Sequence, residues 1–112
     1  MSYSIKFSPR FERELKRLVK KYPSAKSDIE IVLQALAEDP TTETSLGGNT
    51  YKIRFPIRSK KKGKSGGGRL ITAVFTIDEY VLLIDVYDKS HKDSVKLDEI
   101  REIIGRYLAD EP

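Results

Sequence analysis

Cysteine is absent from this chain and histidine occurs once, at position 91 of 112 residues. The first absence excludes disulfides and thiolate chemistry and agrees with a reducing compartment, so a cytoplasmic location is expected. The second leaves no pair of imidazoles to divide acid and base work. No stretch approaches the roughly 18 consecutive apolar residues that suggest a membrane helix. The N-terminal MSYSIKF has no apolar core before a small-residue cleavage site, so no secretory signal is read there. No His, Asp and Glu cluster has metal-ligand spacing and no serine sits in a local nucleophile signature, so no metal and no cofactor are expected.

Acids are also missing from one long segment. From Tyr51 to Arg69, YKIRFPIRSKKKGKSGGGR holds eight cations and no carboxylate, although the whole chain carries 21 Lys+Arg against 17 Asp+Glu. Lys52, Arg54, Arg58, Lys60, Lys61, Lys62, Lys64 and Arg69 thus form a local cluster suited to a polyanion, a stronger indication than the net charge of +4. GKSG at 63–66 is not a nucleotide P-loop: the glycine required five residues earlier is Arg58, and no helix follows the lysine.

The length suits one domain over residues 1–112, able to bury very roughly two-thirds of its unfolded surface without a covalent staple. Tyr3, Ile5 and Phe7 alternate with polar residues as in a short strand. Ser8 and Pro9 then offer a cap and a first helical residue, and Phe11, Leu15, Leu18, Val19 and Tyr22 follow helical spacing until Pro23. Ile29, Val32, Leu33 and Leu36 mark a second helix, antiparallel to the first. Residues 39–49, DPTTETSLGGN, read as a surface loop.

Strand signals dominate the next third. Tyr51, Ile53 and Phe55 face inward, which places Lys52 and Arg54 side by side on the opposite face, roughly 6 to 7 Å apart. Ile57 to Gly68 reads as a loop, Leu70 to Ile77 as a second strand, and the continuously apolar YVLLIDVY at 80–87 as a central strand covered on both faces. Asp85 interrupts that strand and is expected to pair with a cation of the basic patch. A polar turn follows, and Val95, Leu97, Ile100, Ile103, Ile104, Tyr107 and Leu108 outline a last amphipathic helix. The expected fold is α+β: an antiparallel sheet with an N-terminal helical hairpin and a C-terminal helix on one face, and Lys52, Arg54 and Arg69 on the other.

Three blocks within this frame, YKIRF at 51–55, GKSGGGRLI at 63–71 and LLIDVYDKSHKDSV at 82–95, resemble the RelE/HigB/ParE superfamily of type II toxin-antitoxin toxins, nearer its RelE and HigB branches. The resemblance implies a microbial-ribonuclease-like domain, a cognate antitoxin as partner, and ribosome-dependent cleavage of messenger RNA in the A site without metal. It places the family's strand cations on Lys52 and Arg54, the arginine after the glycine turn on Arg69, and the basic residue after the central strand on Lys89. The catalytic tyrosine of the RelE branch has no counterpart, since Val95 stands about there, and Tyr87 in the neighbouring turn is the substitute.

Such cleavage needs a base for the 2′-OH, positive groups for the phosphorane and an acid for the leaving 5′-oxygen. Arg54 and Arg69 suit the phosphorane, Lys52 is the better base or a further phosphate holder, and Tyr87, Lys89 and His91 are candidates for acid or base-stacking work. Arg58, Lys60, Lys61, Lys62, Lys64 and His91 are assigned to RNA binding. Two alternatives stay open: a ParE-like gyrase inhibitor, and a relic that binds RNA or antitoxin without cutting.

Overall fold

The structure, a computed structural model, describes residues 2–41, 44–60, 66–90 and 96–109, the side chains of 108 and 109 excepted. In chain order it has strand β1 (Ser4–Phe7), helices α1 (Pro9–Lys21) and α2 (Ala25–Glu38), strands β2 (Thr44–Gly47), β3 (Thr50–Phe55), β4 (Gly68–Phe75) and β5 (Tyr80–Asp88), and helix α3 (Leu97–Ala109). The strands form one sheet in the order β1-β5-β4-β3-β2. The expected α+β class holds, but the sheet is mixed, because β1 runs parallel to β5 while the other pairs are antiparallel.

Residue chemistry accounts for most element ends. The Ser8 hydroxyl accepts from the Phe11 N–H at 3.1 Å and donates to the Ile84 carbonyl at 3.0 Å, so one buried side chain starts α1 and ties it to β5. Pro9 occupies the first turn, and the helix closes at Tyr22, before Pro23. Thr44–Gly47, read from sequence as part of a loop, is instead a short edge strand, with Thr44 opposite Lys52 and Ser45 opposite Tyr51. The open backbone edge of β3 supplies hydrogen-bond partners to a segment whose Ser45, Gly47 and Gly48 read as turn formers. Gly47, Gly48 and Asn49 then turn the chain through positive φ values of 91°, 57° and 61°. β4 stops at Phe75, two residues before its expected end, and Ile77 is exposed at the tip of the turn.

The core has two parts because helices cover both faces of the sheet. On one, Phe11, Leu18, Ala25, Ile29 and Leu36 of the helical hairpin meet Ile53, Phe55, Leu70, Val74, Val81, Leu83 and Val86. On the other, Ile100 of α3 lies with Ile71, Ala73, Tyr80, Leu82 and Ile84. The expectation that all helices share one face is therefore corrected. α3 carries its own apolar stripe, with Ile103, Ile104 and Tyr107 beside Ile100, and the inward residues of β4 and β5 on that face need a cover. β5 is buried on both faces as expected, although β4 holds the middle of the sheet.

Candidate nucleic-acid interface

Three side chains are brought into one row by strand register. Arg54 of β3 stands directly opposite Arg69 of β4, which stands opposite Tyr87 of β5. Directly opposed residues share a face, and their Cβ atoms lie about 4.5–5.5 Å apart. The next row holds Lys52, Ile71 and Asp85. Since Tyr51, Ile53 and Phe55 point into the hairpin-side core, Lys52 and Arg54 face the other way, as the alternation requires. That is also the α3 face. Arg54 is exposed, Lys52 and Tyr87 are half-buried, and Arg69 is 7% exposed, with Nη1 donating to the Gly68 carbonyl at 2.9 Å. Among the described residues neither Lys52 nor Arg54 has an ion-pair partner, so the row presents positive charge at its open end.

Gly68 is what lets Arg69 enter this row. It is opposite Phe55, and a Cβ at Gly68 would lie 2.3 Å from the Phe55 ring. Only a glycine allows the ring to lie against the backbone there, and the alternation then sends Arg69 to the cationic face. Lys89 is exposed just beyond β5, and its N–H donates to the Gly67 carbonyl at 2.9 Å, which holds the start of that turn against the stem of the glycine segment.

Two other cations assigned to RNA binding are engaged elsewhere. Arg58, Ser59 and Lys60 form a 3-10 turn rather than an open loop. Arg58 donates from Nε to Asp28 Oδ1 at 2.6 Å and from its backbone N–H to Asp28 Oδ2 at 3.1 Å. Lys60 Nζ lies 2.5 Å from Asp88 Oδ1, and its side chain is 7% exposed. Each of these two cations thus has a carboxylate partner, Arg58 with its side chain exposed and Lys60 with its side chain largely covered. Lys61, Lys62, Lys64 and His91, like Val95, lie outside the described residues.

Two carboxylates near the row have opposite environments. Burial opposes ionisation of Asp88, but hydrogen bonds from Lys60, Tyr22 and Ser90 outweigh it and hold the carboxyl below the usual carboxylate range. The same contact raises the Tyr22 phenol, since its proton bonds to Asp88. Asp85 is raised instead: burial dominates over the attraction of Arg10 and a backbone hydrogen bond from Val86. It stands where the β4–β5 register slips at a bulge, and its Oδ2 is buried without a hydrogen-bond partner. Its cation is Arg10 of α1, 3.5 Å away, not a member of the basic row, which corrects the expected pairing. Arg10 also bonds Glu99 of α3 at 3.3 Å. Sequence reasoning missed Arg10 and Asp88; an acid directly after Tyr87 in so basic a region was the available signal for the latter.

A cleft of about 580 Å³ lies between the start of α1 and α3, lined by Arg10, Arg13, Glu99 and Tyr107 among others and by none of the row's residues. Among the described residues no group of three or more His, Asp or Glu could hold a metal ion, and no helix is long and apolar enough to cross a membrane.

No family model and no curated protein sequence matches the chain. Solved structures do. An arginine-to-alanine double mutant of the E. coli toxin RelE in the free state superposes with a TM-score of 0.62 at 21% identity, covering 95% of this chain and 98% of that one. A chain of the intact E. coli RelBE toxin-antitoxin complex gives 0.61 at 20% identity, over 80% of this chain and 100% of that one. The Mycobacterium tuberculosis RelBE2 toxin-antitoxin complex gives 0.54 at 17%, over 81% and 95%. The fold is thus that of the RelE toxins, as the sequence blocks led us to expect.

Proposed function

We propose that this chain is the toxin of a type II toxin-antitoxin pair and acts as a metal-independent, ribosome-dependent messenger RNA endoribonuclease. The observation that carries the reading is the Arg54–Arg69–Tyr87 row with Lys52 in the row beside it, on a fold otherwise met in RelE toxins. In this reading the row receives the scissile phosphate. Lys52 takes the 2′-OH proton or holds a phosphate oxygen, and the 2′-oxygen attacks phosphorus. Arg54 and Arg69 meet the charge that develops on the phosphorane oxygens, and the 5′-oxygen leaves with a proton from Tyr87 or Lys89. The products are a 2′,3′-cyclic phosphate and a 5′-hydroxyl. Guanidinium groups suit the middle step because their fork matches two phosphate oxygens and they never surrender a proton.

A cognate antitoxin is the expected protein partner, as in the complexes in which the structural neighbours were solved. The test is induction of the chain alone in a bacterial host, wild type beside Lys52→Ala/Arg69→Ala, with RNA 5′ ends mapped on translated and untranslated transcripts. Cuts confined to translated codons and lost in the variant are expected. Growth arrest without cuts would move the reading to gyrase, and no arrest to a binding relic.

A further inference from the structure

A heavily bonded carboxylate, Asp88, lies not in the cationic row but beside it. Asp88 is the last residue of β5, 4% exposed, and opposite Gly68 in the ladder. Its Oδ1 accepts from Lys60 Nζ at 2.5 Å and from the Ser90 N–H at 3.1 Å. Its Oδ2 accepts from the Tyr22 hydroxyl at 2.8 Å, with Lys21 Nζ 3.9 Å away. Three segments therefore meet on one carboxylate: the end of α1, the 3-10 turn at Lys60, and the turn after β5.

The partners of Asp88 are themselves fixed. Ser59, next to Lys60, exchanges two hydrogen bonds of 2.9 Å with Ser24 at the start of α2, and Arg58 is held by Asp28. On the far side, the Lys89 N–H reaches the Gly67 carbonyl. Taking a lysine and an aspartate out of water gains little net stability over an apolar pair of the same volume, whereas the directed bonds fix geometry. A phosphate site needs that geometry, because supporting groups that leave it about 1 Å loose lose most of the rate.

We propose that Asp88 is a positioning residue for the cationic row: it ties the 3-10 turn at Lys60 and the turn after β5 to the helical hairpin, and so fixes the end of β5 from which Tyr87 and Lys89 face an RNA backbone. This deepens the ribonuclease reading and rests on it for its catalytic consequence. Tyr87 benefits directly, since its backbone is fixed by the neighbouring residue while its ring stands on the row's face.

The experiment compares wild type, Asp88→Asn, Tyr22→Phe and the apolar replacement Lys60→Met/Asp88→Leu. Denaturant unfolding, binding of a non-cleavable 2′-deoxy oligonucleotide, saturating cleavage of a defined messenger RNA on ribosomes, and amide exchange at Lys89 and Ser90 are measured on each. The apolar pair is expected to keep its stability and to bind the oligonucleotide within about twofold, because the row's phosphate contacts remain. Its saturating cleavage rate should fall about 10- to 100-fold, and Lys89 and Ser90 should exchange faster. Wild-type cleavage by a folded apolar pair would overturn the proposal. Were that variant unfolded, Tyr22→Phe removes one donor alone and must show the same direction of change at smaller amplitude. If the wild type itself cuts no RNA, the ribonuclease reading fails, and amide exchange decides the tie by itself: faster exchange in Asp88→Asn supports it, and unchanged protection overturns it.

Discussion

The ring of Phe55 lies against the bare Cα of Gly68, directly across the β3–β4 ladder, with no room for even a methyl group between them. That contact seals the hairpin-side core at the end of the sheet where the cationic row lies, and it makes the residue before Arg69 a fixed glycine.

Gly68→Ala should therefore destabilise the protein by about 1–3 kcal/mol, the usual cost of overpacking, read as a lower denaturant midpoint. Phe55→Leu in the same chain should recover part of that loss by making room for the methyl. Additive losses in the double variant would mean that the two residues do not clash.

Ser8 has both a capping and a tethering bond and is wholly buried. Ser8→Ala should cost about 1–2 kcal/mol, because it leaves the Phe11 amide without its acceptor. Chemical denaturation monitored by circular dichroism would measure it, and a shift under a few tenths of a kcal/mol would assign the cap no weight.

Arg54 and Arg58 are both exposed cations of the same basic segment, yet among the described residues only Arg58 has a carboxylate partner. With RNA as the ligand, Arg54→Ala should weaken single-strand binding and lower the slope of log K against log salt by about 0.7. Arg58→Ala should leave that slope in place and instead lower stability by about 1 kcal/mol. Equal salt slopes for the two variants would refute this division of roles.

The two carboxylates give opposite pH dependences. Asp88 is lowered in the folded state, so its contribution is complete above the unfolded carboxylate range and is lost only as the pH falls into strong acid. The stability gap between wild type and Asp88→Asn should accordingly be widest from about pH 5 upward and close in acid. Asp85 is raised above 3.8, so the folded state holds its proton more tightly than the unfolded chain does. As pH rises through the carboxylate range, the wild type should lose stability relative to Asp85→Asn. Unfolding free energies at a series of pH values check both signs at once.

Much of the hairpin and of the first cationic strand was legible because their signals are local. Phe11, Leu18, Ile29 and Leu36 are buried where their spacing put them, and Lys52 and Arg54 alternate with Tyr51, Ile53 and Phe55 as a pleated strand demands. β2 was not legible, because Thr44, Ser45 and Gly47 carry turn chemistry and become a strand only where β3 offers an open edge. The face taken by α3 was equally hidden: an amphipathic stripe shows that a helix has an inner side, not which side of a sheet will receive it.

The sequence by itself determined where cations concentrate, which residues alternate and where helices begin and end, since each of these depends on neighbours a few residues apart. Only the tertiary structure decided which cations stay available. Arg10 reaches Asp85, Arg58 reaches Asp28 and Lys60 reaches Asp88, while Arg54 is set opposite Arg69. Each of those choices joins residues far apart in the chain, and its free energy depends on the burial and distance that the fold creates.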